Sequence, residues 1–234
     1  MSLSEKSQTA VAKVLTIDGP SGSGKGTISL LIAQRLGWHF LDSGALYRVL
    51  ARYAIDKKIA LSDEAAVSNL ANNLPVEFQY AFTSHLSSKI ILAGVEVTTI
   101  IRSETCANAA SKIAALPAVR DALLARQRAF LKPPGLVADG RDMGTVVFPH
   151  AFCKVFLEAS VQERAKRRYL QLKEQGLDGN LQKLIGEISN RDARDKQRVI
   201  SPMIPAQDAI IVDTTGFTIT EVLKQVMTEV AKRL

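Results

Sequence analysis

Cysteine and histidine are scarce in this 234-residue chain, which contains two cysteines and three histidines. Cys106 and Cys153 lie far apart, and neither belongs to a CxxC pair. This usage argues against a disulfide framework and offers little material for a metal site. We therefore expect a protein of the reducing cytoplasm.

Long apolar runs are also missing, because segments such as Ile28–Ala33 and Ile90–Leu92 are far too short to span a bilayer. Residues 1–13 are polar and show neither the apolar stretch of a secretory signal nor the arginine-rich pattern of a transit peptide. We interpret residues 1–12 as a mobile tail and expect no membrane contact. Hydrophobic residues still make up 47% of the chain, which suffices for a substantial core.

Aromatic residues make up only 6% of the chain, although its net charge of +7 and its pI near 9.5 raise nucleic acid as a partner. Much of the basic charge lies in residues 161–200, where acids are interleaved and Tyr169 is the single aromatic residue. Such a composition is poor material for base stacking. Arginines clustered around small phosphorylated ligands explain the charge equally well. We therefore expect no nucleic-acid partner. We also expect a monomer, because no surplus apolar face is evident.

A glycine-rich segment between a short β-branched run, Val14–Asp18, and a helical pattern that Gly37 ends indicates a nucleotide site. Glycines let backbone N–H groups approach an anion, the helix N-terminus adds partial positive charge, and Lys25 supplies a full charge. The strict pattern has Ser or Thr directly after the lysine, whereas Gly26 stands there and Thr27 follows. We predict that nine residues bind a nucleoside triphosphate: Gly19, Pro20, Ser21, Gly22, Ser23, Gly24, Lys25, Gly26 and Thr27.

Five apolar segments read as buried parallel strands, and helical patterns separate most of them. They are Val14–Asp18, His39–Leu41, Leu136–Asp139, Lys154–Leu157 and Ala209–Asp213. The alternation predicts an α/β fold of three layers around a parallel sheet. Ser160 and Glu163 have the spacing of a capping box for the helix after the fourth strand, and Gly176 would end that helix.

A long excursion, residues 61–135, separates the second and third strands. Alternating residues at 76–80, and two short runs that face each other across Ala93-Gly94, predict a small antiparallel sheet. Helical sequence follows from about Glu104 to Leu131, and Pro133-Pro134-Gly135 ends it. We interpret this excursion as a domain for a second substrate.

The charged, glycine-punctuated residues 160–202 are the natural candidate for a mobile lid. Residues 13–60, 136–159 and 203–234 then form the core. The lid carries Arg191, Asp195 and Arg198 at a spacing that puts all three on one helical face. A solvated stripe of salt bridges is the plainer interpretation of that triplet taken alone.

Two further motifs follow strand ends, on the sheet edge where open α/β folds bind ligands. They are LDSGALYR at residues 41–48 and ADGRDMGT at residues 138–145. No NKxD motif for guanine recognition is present, and the DxxG match at residues 213–216 falls after the last strand, where we interpret it as chance. A kinase of small molecules therefore fits better than a switch GTPase.

The chain resembles the bacterial cytidylate kinases, which belong to the nucleoside monophosphate kinases. The resemblance rests on five segments in family order, from about Lys13 to the C-terminus: GPSGSGKGT, LDSGALYR, NAASKIAALPAVR, GLVADGRDMGTVVFP and RDARDKQR. It implies a P-loop kinase fold with a monophosphate-binding α+β insertion and a helical lid, and it accounts for Gly26. His150 replaces the family's acid after FP, and we interpret it as a neutral surface residue.

The resemblance implies that Ser111, Arg120 and Asp142 bind the cytosine base. Their chemistry agrees, because cytosine needs one acceptor for its amino group, which Asp142 can supply, and donors for N3 and O2, which Arg120 and Ser111 can supply. Uracil inverts two of these positions, so UMP would leave Asp142 facing an oxygen.

The resemblance also implies the residues that contact the rest of CMP and the transferred group. Arg48, Arg141 and Arg198 would hold the phosphate, Arg191 and Asp195 the ribose, and Ser43 would lie between sugar and phosphate. Catalysis would rest on Lys25, Arg141, Arg198 and a lid arginine, Arg167 or Arg168. Mg²⁺ would accompany ATP, with Thr27 as a candidate ligand, and we expect no permanently bound cofactor.

The implied reaction moves the γ-phosphoryl group of ATP to CMP or dCMP, in pyrimidine nucleotide metabolism. Two alternatives stay open. One is a P-loop kinase of another small acceptor, such as UMP, AMP or a shikimate-like acid. The other is a nucleotide-dependent RNA-binding protein, which would show steeply salt-sensitive affinity for polynucleotides.

Overall fold

A computed structural model describes residues 12–82, 86–174, 176 and 178–234, so that the predicted tail lies outside the described residues except for its last position. The strands are β1 (Lys13–Asp18), β2 (His39–Asp42), β3 (Val76–Phe82), β4 (Leu86–Leu92), β5 (Val95–Glu96), β6 (Gly135–Gly140), β7 (Cys153–Glu158) and β8 (Ile210–Asp213). The helices are α1 (Lys25–Leu36), α2 (Ser43–Asp56), α3 (Glu64–Asn72), α4 (Glu104–Ile113), α5 (Pro117–Arg128), α6 (Val161–Glu174), α7 (Leu181–Gln197) and α8 (Ile219–Ala231). A 3₁₀ turn spans Ile100–Arg102 and a π-helix spans Met143–Val147.

Five strands form a parallel sheet in the order β2-β6-β1-β7-β8. The predicted α/β fold is therefore confirmed. Four of the five predicted strands are longer by one residue at one or both ends, and the last begins at Ile210 instead of Ala209. β1 and β6 are buried almost throughout, because helices cover both faces of the sheet. Their carboxyl ends meet at one edge, where the nucleotide motifs lie.

The residues between α2 and β6 form the predicted antiparallel sheet, in the order β3-β4-β5, packed beside helices. The turn between β4 and β5 consists of Ala93 and Gly94, both with positive φ, as a two-residue hairpin requires. The helical sequence predicted from about Glu104 to Leu131 forms two helices, since α4 ends at Ile113 and α5 begins at Pro117. Proline has no N–H to donate and favours the first turn of a new helix, which explains the break.

Two large apolar cores lie in the described part of the chain. One packs α1 and α8 against the parallel sheet, with Leu15, Ile17, Ile28 and Val226 fully enclosed. The other lies inside the inserted segment and joins α2, α3, α4 and α5. Because α2 begins directly after β2 and buries one face in the second core, it ties the inserted segment to the sheet edge.

Helices α6 and α7 enclose a small apolar cluster of their own, Ala165, Leu184 and Ile188. Ser160 accepts a hydrogen bond from the Glu163 N–H, as predicted. The reciprocal half of that capping box is wrong, because the Ser160 N–H donates to Thr215 and the Glu163 carboxylate pairs with Arg167. Within the described ranges, none of the helices combines the length and apolarity that a bilayer crossing requires.

Candidate active site

The glycine-rich loop links the end of β1 to the start of α1. Gly19 has φ 143°, and a Cβ atom there would lie 2.1 Å from the carbonyl oxygen of Leu157, so no other residue fits. Gly24 is the N-cap of α1 with φ 89°. The Lys25 Nζ donates to the carbonyl oxygen of Pro20 at 3.1 Å, so the lysine folds back over the loop. The predicted phosphate-binding loop thus presents a helix N-terminus and a cation at the same point.

Lys25 faces the carboxylate of Asp139, the second-to-last residue of β6, at 4.0 Å between Nζ and Oδ1. Burial and then the charge of Arg141 lower the pKa of Lys25. Burial raises the pKa of Asp139, and the charge of Lys25 partly offsets that increase. Gly26 also borders this carboxylate, since a Cβ at that position would lie 3.2 Å from Asp139 Oδ2.

Four arginines from three segments converge beyond Lys25: Arg48 on α2, Arg141 after β6, Arg191 within α7 and Arg198 at the C-cap of α7. Burial is the largest cause of a lowered pKa in Arg48, Arg191 and Arg198, and neighbouring guanidinium groups add to it. The pKa of Arg191 falls to about 9. Arg198 Nη2 and Arg191 Nε are buried without a hydrogen-bond partner among the described residues. Crowded cations with unused donors are what a bound anion would satisfy.

Asp195 is the acid at the centre of this cluster. Its Oδ2 accepts from Arg141 Nε at 3.3 Å and its Oδ1 from the Ser111 hydroxyl at 3.1 Å. Burial alone would raise the pKa of Asp195, but the charges of Arg141, Arg198 and Arg191 outweigh burial and hold the pKa below its usual value. The predicted helical-face triplet is therefore not a solvated stripe, because Asp195 is buried against the core.

Asp142 and Arg120 form a buried ion pair beside the arginine cluster. Arg120 Nη1 also donates to the Ala114 carbonyl at 3.1 Å, and its guanidinium lies 5.7 Å from the ring centroid of Tyr47. Of the three residues predicted for the base, these two are in contact. The third, Ser111, directs its hydroxyl to Asp195 instead.

The other predicted site residues differ in burial, and most of them contact protein groups. Ser43 is buried and donates to Gln127 Oε1 at 3.0 Å, and Arg48 Nη1 donates to the Ile101 carbonyl at 3.3 Å. Thr27 is exposed on the first turn of α1. The guanidinium of Arg167, in the first half of α6, donates hydrogen bonds to Glu163 and Thr214.

Arg168, the other lid candidate, points away from the loop. It forms an ion pair with Glu104 at 2.8 Å and donates to the Arg102 carbonyl. Both lid arginines are therefore engaged with protein groups in the described arrangement.

Four residues to which the sequence assigned no role also belong to this region. Asp18 is the last residue of β1, Asp139 is the second-to-last residue of the neighbouring β6, and both are buried. Arg164 joins α6 to Asp192 of α7 and donates to the Ser21 carbonyl at 3.0 Å. Acids at the carboxyl ends of paired parallel strands were the available signal for the first two. The contact of Arg164 depends on how the two lid helices pack, which no local pattern encodes.

Comparison with known proteins matches the cytidylate kinase family model to residues 15–232. A cytidylate kinase of Shewanella frigidimarina is 56% identical over 94% of this chain and 96% of its own length. A cytidylate kinase of Azotobacter vinelandii is 57% identical over the same shares of the two chains. Among solved structures, a gluconokinase from Sinorhizobium meliloti aligns over 95% of this chain and 94% of its own, with 16% identity and a TM-score of 0.47, too distant to bear on function. By the family match and these relatives, the chain belongs to the cytidylate kinase family.

Proposed function

We propose that the protein transfers the γ-phosphoryl group of ATP to CMP or dCMP, giving ADP and CDP or dCDP. The observation that carries this proposal is the buried Asp142–Arg120 pair, set beside four converging arginines and the P-loop lysine. Membership of the cytidylate kinase family supports the same reaction.

The acceptor base would be recognised by its hydrogen-bonding edge. Asp142 would accept from the cytosine amino group, and Arg120 would donate to N3, each held in place by the other before the base enters. Ser111 would reach the base once its hydroxyl turns away from Asp195. UMP would leave the Asp142 carboxylate against a carbonyl oxygen, and an unpaired buried charge discriminates strongly.

The acceptor phosphate would enter the arginine cluster. Arg48, Arg141 and Arg198 offer planar forks that match phosphate oxygens, and the unpartnered Nη2 of Arg198 is free for such a contact among the described residues. Arg191 and Asp195 would hold the ribose, with Ser43 between sugar and phosphate. An incoming dianion would also relieve the repulsion among the guanidinium groups, which adds to its affinity.

Donor and acceptor would react without a general base, because the attacking atom is already an anionic phosphate oxygen. Lys25 and the loop amides would bind the donor phosphates, and Arg141 and Arg198 would neutralise charge on the transferred group. Arg167 would contribute only after leaving Thr214. Contacts such as Arg194 to Asn108 and Ser111 to Asp195 bring α7 against α4, an arrangement that would keep water from the ATP.

Mg²⁺ would accompany ATP, and the residues present fit that ion. Mg²⁺ prefers oxygen ligands and commonly binds through one or two protein groups plus phosphates and water. The Thr27 hydroxyl is exposed on the first turn of α1, and Asp139 presents a carboxylate beside Gly26. No group of three His, Cys, Asp or Glu ligands exists in the described part of the chain, so phosphates and water would complete the shell. When bound, the ion would neutralise charge on the phosphates.

We further propose that the protein acts as a monomer in the cytoplasm, in pyrimidine nucleotide metabolism, without nucleic acid or membrane partners. Acids interleaved with the basic residues of α6 and α7 support the absence of a nucleic-acid partner. Ion pairs such as Arg164–Asp192 and Arg168–Glu104 neutralise part of the positive charge that phosphates of a polynucleotide would need.

The first experiment is coupled ADP release from ATP and Mg²⁺ with CMP, dCMP, UMP, AMP and GMP in parallel. We expect fast turnover with CMP and dCMP and far slower turnover with UMP. Activity on another monophosphate would keep a kinase and overturn the role of Asp142. Silence on all five, with salt-sensitive binding to RNA, would overturn the kinase.

A Lys25→Ala variant tests the donor side. This substitution removes a positive charge that is positioned to stabilise the transferred phosphoryl group, so kcat should fall by about 100-fold or more. The exposed Lys183→Ala variant on α7 serves as a control for loss of a lysine, and its kcat should stay unchanged. A near-normal rate for Lys25→Ala would refute the P-loop mechanism.

A further inference from the structure

Asp18, the last residue of β1, accepts two backbone hydrogen bonds from a distant segment. Its Oδ1 accepts from the Met143 N–H and its Oδ2 from the Gly144 N–H, both at 2.8 Å. The side chain is only 5% exposed. Although Asp18 directly precedes the P-loop, its carboxylate is directed to the other half of the site.

The two amides belong to the first residues of the π-helix, whose N-cap is Asp142. The carbonyl oxygen of Asp142 accepts from both Val146 and Val147 N–H groups. The backbone at Asp142 is thus held by hydrogen bonds within the π-helix and, through the next two residues, by the hydrogen bonds to Asp18. Asp142 in turn directs its side chain to Arg120.

The turn that begins the π-helix, residues 142–144, also lies close against the sheet. A Cβ atom on Gly144 would lie 2.9 Å from Thr16 Oγ1 and 3.1 Å from Lys154 Cδ. The glycine lets the turn approach closely enough for both amides to reach Asp18. A shift of the turn away from β1 would therefore lose both hydrogen bonds and move Asp142 with it.

Only a carboxylate satisfies both amides. An asparagine at position 18 would accept from one N–H and direct its own NH₂ group at the other, so that one donor faces another. A buried donor without an acceptor is costly and favours displacement of the turn. Asparagine has nearly the same volume as aspartate, so the substitution tests the second acceptor with little change in packing.

We propose that Asp18 is a positioning residue for cytosine recognition, which sets the place of Asp142 through the backbone amides of Met143 and Gly144. This inference rests on the proposed function, and it adds that Asp18 holds Asp142, the acid that recognises the base, in place. Asp18 contacts no substrate in this account, because both of its oxygens are used by the two amides.

The test measures kcat/KM for CMP and for UMP, and KM for ATP, in wild type, Asp18→Asn and Asp18→Ala. We expect the ratio of kcat/KM for CMP over UMP to fall about tenfold in Asp18→Asn, the size of one lost buried hydrogen bond, and further in Asp18→Ala. KM for ATP should change by less than about twofold. The ratio does not depend on the folded fraction, so a variant of low stability still reports on it.

Thr16→Val is the matched control. Thr16 lies two residues earlier in β1 and is fully buried near the same turn, but its hydroxyl has no hydrogen-bond partner among the described residues. Its CMP-over-UMP ratio should equal that of the wild type. A melting temperature that falls in Asp18→Asn with an unchanged ratio would overturn the inference and leave Asp18 a purely structural residue.

A raised KM for ATP with an unchanged ratio would also overturn it, because Asp18 would then serve the P-loop. Failure of the proposed function itself is distinguishable, since the wild type would then lack activity with CMP.

Discussion

The Ser111 hydroxyl on α4 and the Asp195 carboxylate on α7 are joined by a hydrogen bond of 3.1 Å across 84 residues of sequence. The other oxygen of the same carboxylate accepts from Arg141, which follows β6. Asp195 therefore connects the inserted segment, the lid and the core sheet at one point. Because a hydroxyl has a single hydrogen to donate, Ser111 cannot donate to Asp195 and to the cytosine base at the same time.

A double-mutant cycle with Ser111→Ala and Asp195→Asn measures this connection. KM for CMP should rise in each single variant, because each loses a proposed contact to CMP. The two effects should be non-additive by about 1 kcal/mol, since either substitution also removes the hydrogen bond that CMP binding would otherwise break. The control cycle pairs Asp195→Asn with Ser43→Ala, whose hydroxyl donates to Gln127 instead, and should be additive. Additivity in the first cycle would mean that the Ser111–Asp195 hydrogen bond does not change when CMP binds.

An Asp142→Ala variant should raise KM for CMP and narrow the preference for CMP over UMP. The acceptor for the cytosine amino group is removed, whereas uracil loses an unfavourable neighbour. Steady-state kinetics with both monophosphates measure the preference. Arg126→Ala, which loses only a hydrogen bond to the Leu74 carbonyl in the inserted segment, is the control for an arbitrary loss of charge and should keep the preference. An unchanged ratio in Asp142→Ala would refute the base-reading role.

Arg198→Ala should lower kcat/KM roughly 30-fold or more with CMP and UMP alike, because the phosphate is common to both. The unpartnered Nη2 of Arg198 provides the donor that this effect requires. If only the melting temperature changes while both rates hold, Arg198 has a structural role, through its hydrogen bonds to the backbone carbonyls of Asp195 and Ala114. This comparison separates a phosphate contact from a base contact, since only the latter changes the CMP-over-UMP ratio.

The fold was largely predictable because its signals are local. Strands that helices cover on both faces appear as short apolar runs, so β1, β2, β6, β7 and β8 could be located within a residue or so. The β4–β5 hairpin followed from Ala93-Gly94. The helix boundary at Pro117 was missed because the apolar pattern continues across it, although proline at a helix start is itself a recognisable signal.

The site was only partly predictable because its contacts are long-range. The motifs located Asp142, Arg120 and the arginines as candidates, but no local pattern states that Ser111 would contact Asp195 or that Thr214 would hold Arg167. Asp18 reads as an ordinary strand end until the π-helix is placed against it. Positions of this kind depend on the packing of whole elements.

Gly26→Ala tests why glycine follows the P-loop lysine. Alanine favours a helix over glycine, but its Cβ would lie 3.2 Å from Asp139 Oδ2 and would push that carboxylate and Lys25 apart. We expect kcat to fall roughly tenfold with an unchanged or raised melting temperature, because misplacing a catalytic charge costs rate rather than stability.

Gly186→Ala is the control for Gly26→Ala, since Gly186 lies inside α7 with open space where its Cβ would be. That variant should be stabilised by up to about 1 kcal/mol through helix propensity, with kcat unchanged. Equal kcat in Gly26→Ala and wild type would show that the contact with Asp139 does not constrain the loop.

The stability of the protein should depend on pH through Asp18. Burial raises the pKa of this carboxyl from 3.8 to about 7, against the opposing effect of the Gly144 and Met143 amides, and the nearby Asp142 and Asp139 raise it further. Between about pH 4 and 7 the folded state then binds more protons than the unfolded state, so the contribution of Asp18 to stability is full below pH 4 and is lost as pH rises to about 7. The slope is at most about 1.4 kcal/mol per pH unit.

Chemical unfolding of wild type and Asp18→Asn from pH 4 to 8 measures this effect, because the titration of groups that do not interact with Asp18 is common to both proteins and cancels in the difference. The free energy of unfolding of the wild type relative to the variant should decrease as pH rises to about 7 and then level off. An increase over the same range would mean that the two amide hydrogen bonds outweigh burial and that Asp18 is ionised more readily in the folded protein than in the unfolded chain. Parallel curves would mean that burial and the two amides balance, so that folding leaves the pKa of Asp18 at its ordinary value.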